Sequence, residues 1–183
     1  NRIGPKFLHP GPGFGGSCFP KDTLALIRTA EEAGADLRIV SAVSDINQIR
    51  KAGMAARVIE ALGGSAEGRT VAVLGLTFKP NTDDMREAPS LSLIPRLQEA
   101  GATVRAFDPQ GMKPAMPMLP GVTFAKDPYD CATGADALVI VTEWESFRAL
   151  DLARIGDVMK QPLMVDFRNI YPPAEVHSHG FVY

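Results

Sequence analysis

The sequence predicts an α/β protein in which a helical segment precedes a doubly wound parallel sheet. Two observations carry that expectation. After a glycine- and proline-rich opening, residues 20–64 hold apolar positions at helical spacing and no strand pattern. From residue 70 onward, short apolar runs of strand length alternate with helical stretches. That alternation is the mark of parallel strands joined by crossover helices, a Rossmann-like arrangement. A chain of 183 residues, 45% hydrophobic and 22% charged, can bury one sizeable core and part of a second unit.

Residues 1–19 read as loop, because Pro5, Pro10 and Pro12 interrupt any strand. Pro20 suits a first helical turn, where its missing N–H costs nothing. Leu24 and Ile27 continue that helix to about Ala33, and Gly34 closes it. Asp36 is a plausible N-cap for a second helix. Ile39, Val43, Ile46 and Ile49, then Met54, Val58 and Leu62, carry it to Gly63-Gly64. Its apolar face calls for a partner, either an N-terminal part of the protein or a second subunit, and a homodimer through this helical segment is the expectation.

Residues 65–69 read as a linker, which divides the chain into 1–64 and 65–183. Thr70–Gly75 reads as a buried strand. A helix follows from about Pro89 to Ala100, with Pro95 inside it as a conflict that forces distortion or a late start. Thr103–Phe107 is the next strand, and residues 110–121, rich in proline and methionine, read as loop. Val122–Phe124 is a short strand and Pro128–Ala132 a short helix. Ala137–Val141 is the strongest strand. Leu152–Met159 is helical, Leu163–Phe167 is a strand, and Phe181–Tyr183 begins a last one.

Charge and cysteines narrow the function classes. The net charge of −2 supplies no basic field for nucleic acid or a membrane surface. No apolar run reaches membrane-spanning length, and no signal peptide is visible. Two widely separated cysteines make no disulfide framework, and a working thiol fits a reducing cytoplasm. His9, His177 and His179 have no metal-ligand spacing with other ligand types, so no metal is expected.

The chemistry concentrates in Gly11-Pro-Gly-Phe-Gly-Gly-Ser-Cys-Phe-Pro-Lys-Asp22. Cys18 stands just ahead of a helix N-terminus, where partial positive charge suits an anionic sulfur. Lys21 adds a cation, and Asp22, four residues on, shares a helical face with the cysteine. A nucleophile, a cation and a carboxylate within five residues suit covalent catalysis. The residue types leave a second reading open, since free cysteines are commonly small buried hydrophobes. Gly11, Gly13 and Gly16 match G-x-G-x-x-G, but no strand precedes them, so the match is weak as a dinucleotide signature. Thr77–Arg86, directly after the first sheet strand, offers Lys79 and Arg86 as anion partners. The alternative is an ordinary loop with solvated charges. Asp108 ends the second strand and reads as a structural cap. Arg168 lies at a strand's carboxyl end, where doubly wound sheets bind ligands, or is a surface arginine. Cys131 and Trp144 read as packing residues.

Two long motifs resemble one family. Arg2-Ile-Gly-Pro-Lys-Phe-Leu with Gly-Pro-Gly-Phe-Gly-Gly-Ser-Cys-Phe-Pro-Lys-Asp resembles the active-site segment of the nucleotide-sugar dehydrogenases, the UDP-glucose/GDP-mannose dehydrogenase family. Gly75-Leu-Thr-Phe-Lys-Pro-Asn-Thr-Asp-Asp-Met-Arg86 resembles its UDP-binding motif. Essentially the whole chain is covered, and the form of the cysteine motif is most similar to bacterial members that oxidise UDP-glucose. The resemblance implies an NAD-dependent oxidation of UDP-glucose to UDP-glucuronate through a thiohemiacetal and a thioester. Cys18 matches the nucleophile and Asp22 the carboxylate that assists water and proton transfer. Lys21 and Arg86 match NAD contacts. Phe7, Leu8, His9, Pro10, Gly11 and Gly15 match the loop that holds the UDP-sugar, and Phe78 and Lys79 match further substrate contacts. Arg2 matches an arginine that reaches the neighbouring subunit's sugar. The chain begins without Met and matches the family from mid-protein, so it reads as a C-terminal portion: the end of a central dimerisation domain, then a UDP-binding domain. Two alternatives are the same chemistry on GDP-mannose or a UDP-N-acetylhexosamine, and a UDP-sugar-binding, dimerising module without activity of its own.

Overall fold

The computed structural model describes Gly4 and residues 8–183. Two helices open it, α1 over Phe19–Glu32 and α2 over Arg38–Ala61. The sheet unit follows: β1 Thr70–Leu74, α3 Ser90–Glu99, β2 Thr103–Phe107, α4 Met112–Ala115, β3 Thr123–Phe124, α5 Pro128–Ala132, β4 Ala137–Ile140, α6 Glu145–Arg148, α7 Leu152–Val158, β5 Met164–Asp166 and α8 Pro173–Ser178. All pairings are parallel, and the strand order is β3-β2-β1-β4-β5. The order reverses between β1 and β4. The crevice outside the carboxyl ends of those strands is where such a sheet binds ligands.

Alternation along the strands splits the interior in two. Val71, Val73, Val104, Ala106 and Val139 face α2 and α3, packing with Met54, Val58, Leu93, Ile94 and Leu97. Ala72, Leu74, Leu138 and Ile140 face the other layer, with Cys131, Phe147, Ile155 and Val176. The carboxyl-terminal half of α2 is thus built into the core of the sheet unit. Burying an aliphatic side chain contributes about 1.5–3 kcal/mol. Met54, Val58 and Leu62 together therefore hold α2 far better than helix propensity could. The other half of α2 is different: Ile39, Ile46 and Ile49 are 81%, 62% and 71% exposed.

Several expectations change. Asp36 does not cap α2; Leu37 occupies the N-cap position without a side-chain bond, and Asp36 pairs with Arg38 at 2.8 Å. α3 starts one residue late, with Pro89 at its N-cap, and runs on through Pro95. Residues 110–121 are not all loop. The Asp108 carboxylate accepts from the Gln110 and Gly111 amides and turns the chain into α4. α6 and α8 have no counterpart in the sequence reading. Phe181–Tyr183 contributes only a single bridge, Val182 to Leu163. Among the described residues, no helix is long and apolar enough to cross a membrane.

Candidate functional site

Cys18 is the N-cap residue of α1, with Pro20 in the first turn. The Asp22 amide donates to the Cys18 carbonyl at 2.8 Å, so thiol and carboxylate do share one face. Cys18, Phe19, Asp22, Thr23 and Leu26 line one open depression of 430 Å³. The thiol is exposed, and its sulfur lies 3.6 Å from the Ser17 hydroxyl. Lys21 pairs with Asp22 at 3.2 Å, both well exposed. Such a pair is weak and exchangeable. The other cysteine has the opposite setting. Cys131 is fully buried, and burial pushes its thiol up to about 12, so it stays protonated and packed.

The two motifs meet. The Gly16 amide donates to the Arg86 carbonyl at 2.8 Å. Gly16 has φ +94°, and a Cβ there would lie 2.8 Å from the Phe78 ring. Gly15 presses on the Glu87 carbonyl in the same way. Only glycines let the cysteine loop lie this flat on the segment after β1. Lys21 and Arg86, from the two motifs, line a second, larger groove of 790 Å³ with Gly16, Ser17 and Pro20. Arg86 is held by Asp84 in two hydrogen bonds of 2.9 and 2.8 Å. Those bonds are the main reason the Asp84 carboxyl sits below the usual carboxylate range.

The switch point gathers the remaining candidates. Thr142, just beyond β4, donates its hydroxyl to the Thr77 carbonyl at 2.6 Å, joining the ends of β4 and β1. Phe78 is half-buried; Lys79 is exposed, with its ammonium 5.3 Å from the Phe78 ring centroid. Arg168, just beyond β5, is mostly buried and paired with Glu143. Its guanidinium lies directly against Gly11, where a Cβ would collide with it. Arg168 Nε and Glu143 Oε2 lack a hydrogen-bond partner among the described residues. Arg168 is therefore no surface arginine. Gly11 of the first motif, Phe78 and Lys79 of the second, and Arg168 all lie along this end of the molecule. Leu8, His9 and Pro10 are exposed. Arg2 and Phe7 lie outside the described residues.

Several residues escaped the sequence reading. Asn47, Lys51 and Glu87 hold the cysteine loop from behind. The Asn47 carboxamide accepts from the Phe14 amide at 2.8 Å and donates to its carbonyl at 3.0 Å. Lys51 pairs with Glu87 at 2.8 Å. A signal was present: positions 47, 51, 54 and 58 form one helical stripe, and its first two members are polar.

Residues 72–173 match the UDP binding domain of the UDP-glucose/GDP-mannose dehydrogenase family, and residues 1–49 match that family's central domain. The chain is 55% identical over 182 residues to a UDP-glucose 6-dehydrogenase of Rhizobium meliloti, covering 100% of this chain and 42% of that protein. Among solved structures, a UDP-glucose dehydrogenase from Pyrobaculum islandicum superposes with a TM-score of 0.82 at 38% identity, covering 95% of this chain and 39% of that one. An NDP-N-acetyl-D-galactosaminuronic acid dehydrogenase from Methanosarcina mazei gives 0.82 at 30% identity, covering 96% and 38%. The chain therefore spans about two-fifths of the length of the relatives it matches.

Proposed function

The chain belongs to the UDP-glucose/GDP-mannose dehydrogenase family, and from that premise we propose that it carries the nucleophile and the UDP-sugar site of an NAD-dependent UDP-glucose 6-dehydrogenase. The observation that carries this reading is the docking of the Cys18 loop on the loop after β1, through Gly16 to Arg86 and Gly15 to Glu87. That contact brings the Cys18 loop to the carboxyl end of β1, beside the switch point where sheets of this kind bind ligands.

In the proposed chemistry the Cys18 sulfur adds to the carbonyl carbon of the sugar aldehyde, and the carbonyl oxygen takes a proton. The resulting thiohemiacetal cannot diffuse away. After its oxidation to a thioester, Asp22 assists water in attacking the same carbon. The C–S bond then breaks, and the carboxylate leaves as the thiol is restored. NAD⁺, when bound, would supply the hydride acceptor twice, one equivalent for oxidising the sugar's primary alcohol to that aldehyde and a second for oxidising the thiohemiacetal. Lys21 and Arg86, which face one groove beside the Gly16–Ser17 backbone, suit the diphosphate of such a dinucleotide. Gly11, Gly15, Phe78, Lys79 and Arg168 take the UDP-sugar, with the backbone of Leu8, His9 and Pro10. Arg2 and Phe7 are assigned to the same site on the motif alone.

The division at residues 64 and 65 belongs to this proposal, as does a homodimer through the exposed stripe Ile39, Val43, Ile46 and Ile49. So does the cytoplasm, where Cys18 stays reduced. The similarity to a dehydrogenase of an N-acetylated sugar nucleotide makes another sugar the second reading.

Product analysis of the complete enzyme tests the assignment. With UDP-glucose and excess NAD⁺, Cys18→Ala should form no UDP-glucuronate while still reaching the aldehyde level. Near wild-type formation of UDP-glucuronate would show that Cys18 is a structural cysteine.

A further inference from the structure

We infer that Asn47 and Lys51 are positioning residues for the cysteine loop: with Glu87 they clamp residues 13–16 between α2 and the segment after β1. The inference rests on the reading of Cys18 as the nucleophile for its importance, but not for its geometry.

Both residues are buried polar groups in the middle of a helix, 5% and 4% exposed. They stand one turn apart on one face of α2. Asn47 commits its whole carboxamide to Phe14, accepting at 2.8 Å and donating at 3.0 Å, like one rung of a strand ladder. Phe14 lies four residues ahead of Cys18. The Lys51 stem runs beneath Gly13, where a Cβ would lie 2.6 Å from its Cγ, and its ammonium reaches Glu87 at 2.8 Å. Glu87 holds φ +54°, a left-handed conformation that turns its carbonyl against Gly15. On the far side the Gly16 amide is bonded to the Arg86 carbonyl. The loop is thus fixed from two directions over four residues, and Cys18, the N-cap of α1, follows two residues later.

Stability alone gives no reason for this arrangement. Only the Lys51 end of its ion pair is buried, Glu87 being 52% exposed, and replacing a buried charge by an apolar group of similar volume costs little when its partner keeps its water. One turn further along, Met54, Ala55 and Val58 seal the same face of α2 with no polar atoms. Lys51 and Glu87 also line the groove that Lys21 and Arg86 face, so the clamp forms part of that groove's wall. What the polar atoms do share is a target, the backbone and flank of one loop.

The test compares Asn47→Leu, Lys51→Met and Lys51→Arg in the complete enzyme by residue-resolved amide exchange and thermal unfolding. Met keeps the Lys stem volume and leaves Glu87 half-solvated, so Lys51→Met should keep or raise the melting temperature. Exchange at Phe14 in Asn47→Leu and at Gly16 in Lys51→Met should still rise about tenfold or more, while Val73 and Val139 stay protected. Lys51→Arg should restore wild-type exchange. Lys51→Met should also lower kcat/KM for UDP-glucose, and Lys51→Arg should restore it. Wild-type exchange in the loop of both variants overturns the clamp. So does a fall in melting temperature with sheet amides accelerated alongside the loop, which marks a merely structural pair. Both results are independent of the Cys18→Ala outcome, so failure of the clamp and failure of the nucleophile assignment are read separately.

Discussion

The indole Nε1 of Trp144 donates to Oδ2 of Asp108 at 3.1 Å. That oxygen also accepts from the Leu76 amide at 2.7 Å and from the amide and hydroxyl of Thr77 at 3.2 Å each. Three carboxyl-end loops, after β1, β2 and β4, are therefore tied to one side chain that is 2% exposed. Six donors converge on the two oxygens of Asp108, counting Gln110 and Gly111. A ribose hydroxyl would find no free acceptor there, which makes Asp108 the keystone of the switch point and not a ligand.

Asp108→Asn should accordingly be costly. Its amide nitrogen would face donors on whichever side it took, leaving buried N–H groups unpaired. Each such loss costs roughly 1–3 kcal/mol. Trp144→Phe removes one donor of six and should cost less. Urea unfolding midpoints of the two variants check the order. An Asp108→Asn protein as stable as wild type would contradict the keystone role.

Much of this framework was legible in the sequence, and the reasons are local. β2 and α5 run over the expected residues, Thr103–Phe107 and Pro128–Ala132, because turn-forming neighbours bound them closely. The cysteine's place at a helix N-terminus followed from Pro20 alone. What escaped was non-local or very short. α4 and α6 have four residues each, too few to show a period. Asn47 finds its partner Phe14 at a separation of 33 residues, and Trp144 finds Asp108 at 36. No spacing rule reaches that far. Arg168 was ambiguous for the same reason, since only the folded chain brings it against Gly11.

Acid should weaken the fold through two carboxylates held below the usual range. Burial is the largest single influence on Asp136 and opposes its ionisation. The Thr70 amide, Arg69 and Lys160 together outweigh it and keep its carboxyl low. Arg86 does the same for Asp84, chiefly through its side-chain hydrogen bonds. With folded values depressed, the unfolded chain takes up protons first as pH falls. The contribution is full above the ordinary value of 3.8 and is lost as pH drops through it toward the lower folded values. Urea midpoints should therefore hold above about pH 4 and fall as pH drops below it. The slope should be shallower in Asp136→Asn, and an identical slope would show that Asp136 is not coupled to folding.

Lys79 gives the most direct test of the UDP-sugar site. It follows β1 at the switch point, in the loop that Asp108 ties down through the Thr77 amide and hydroxyl. The side chain is exposed, and its ammonium stands 5.3 Å from the Phe78 ring centroid. Phe78 itself is pinned by the Gly16 backbone. The ammonium is thus delivered from a rigid base without being buried, which suits a phosphate contact made only when ligand arrives. A charge-assisted hydrogen bond of this kind contributes roughly 1.5–3 kcal/mol, or about tenfold or more in Kd. Lys79→Ala should weaken UDP-glucose binding by that factor, measured by calorimetry. Lys79→Arg should lose less, since it keeps the charge on a longer fork. Uridine, which has no phosphate, should bind wild type and Lys79→Ala equally. Stability should change little, because the side chain is exposed and its ammonium stands over the Phe78 ring without a salt-bridge partner among the described residues. Equal UDP-glucose affinity in wild type and Lys79→Ala would remove Lys79 from the site. An equal loss for uridine would instead mean that Lys79 supports the loop and does not read the phosphate.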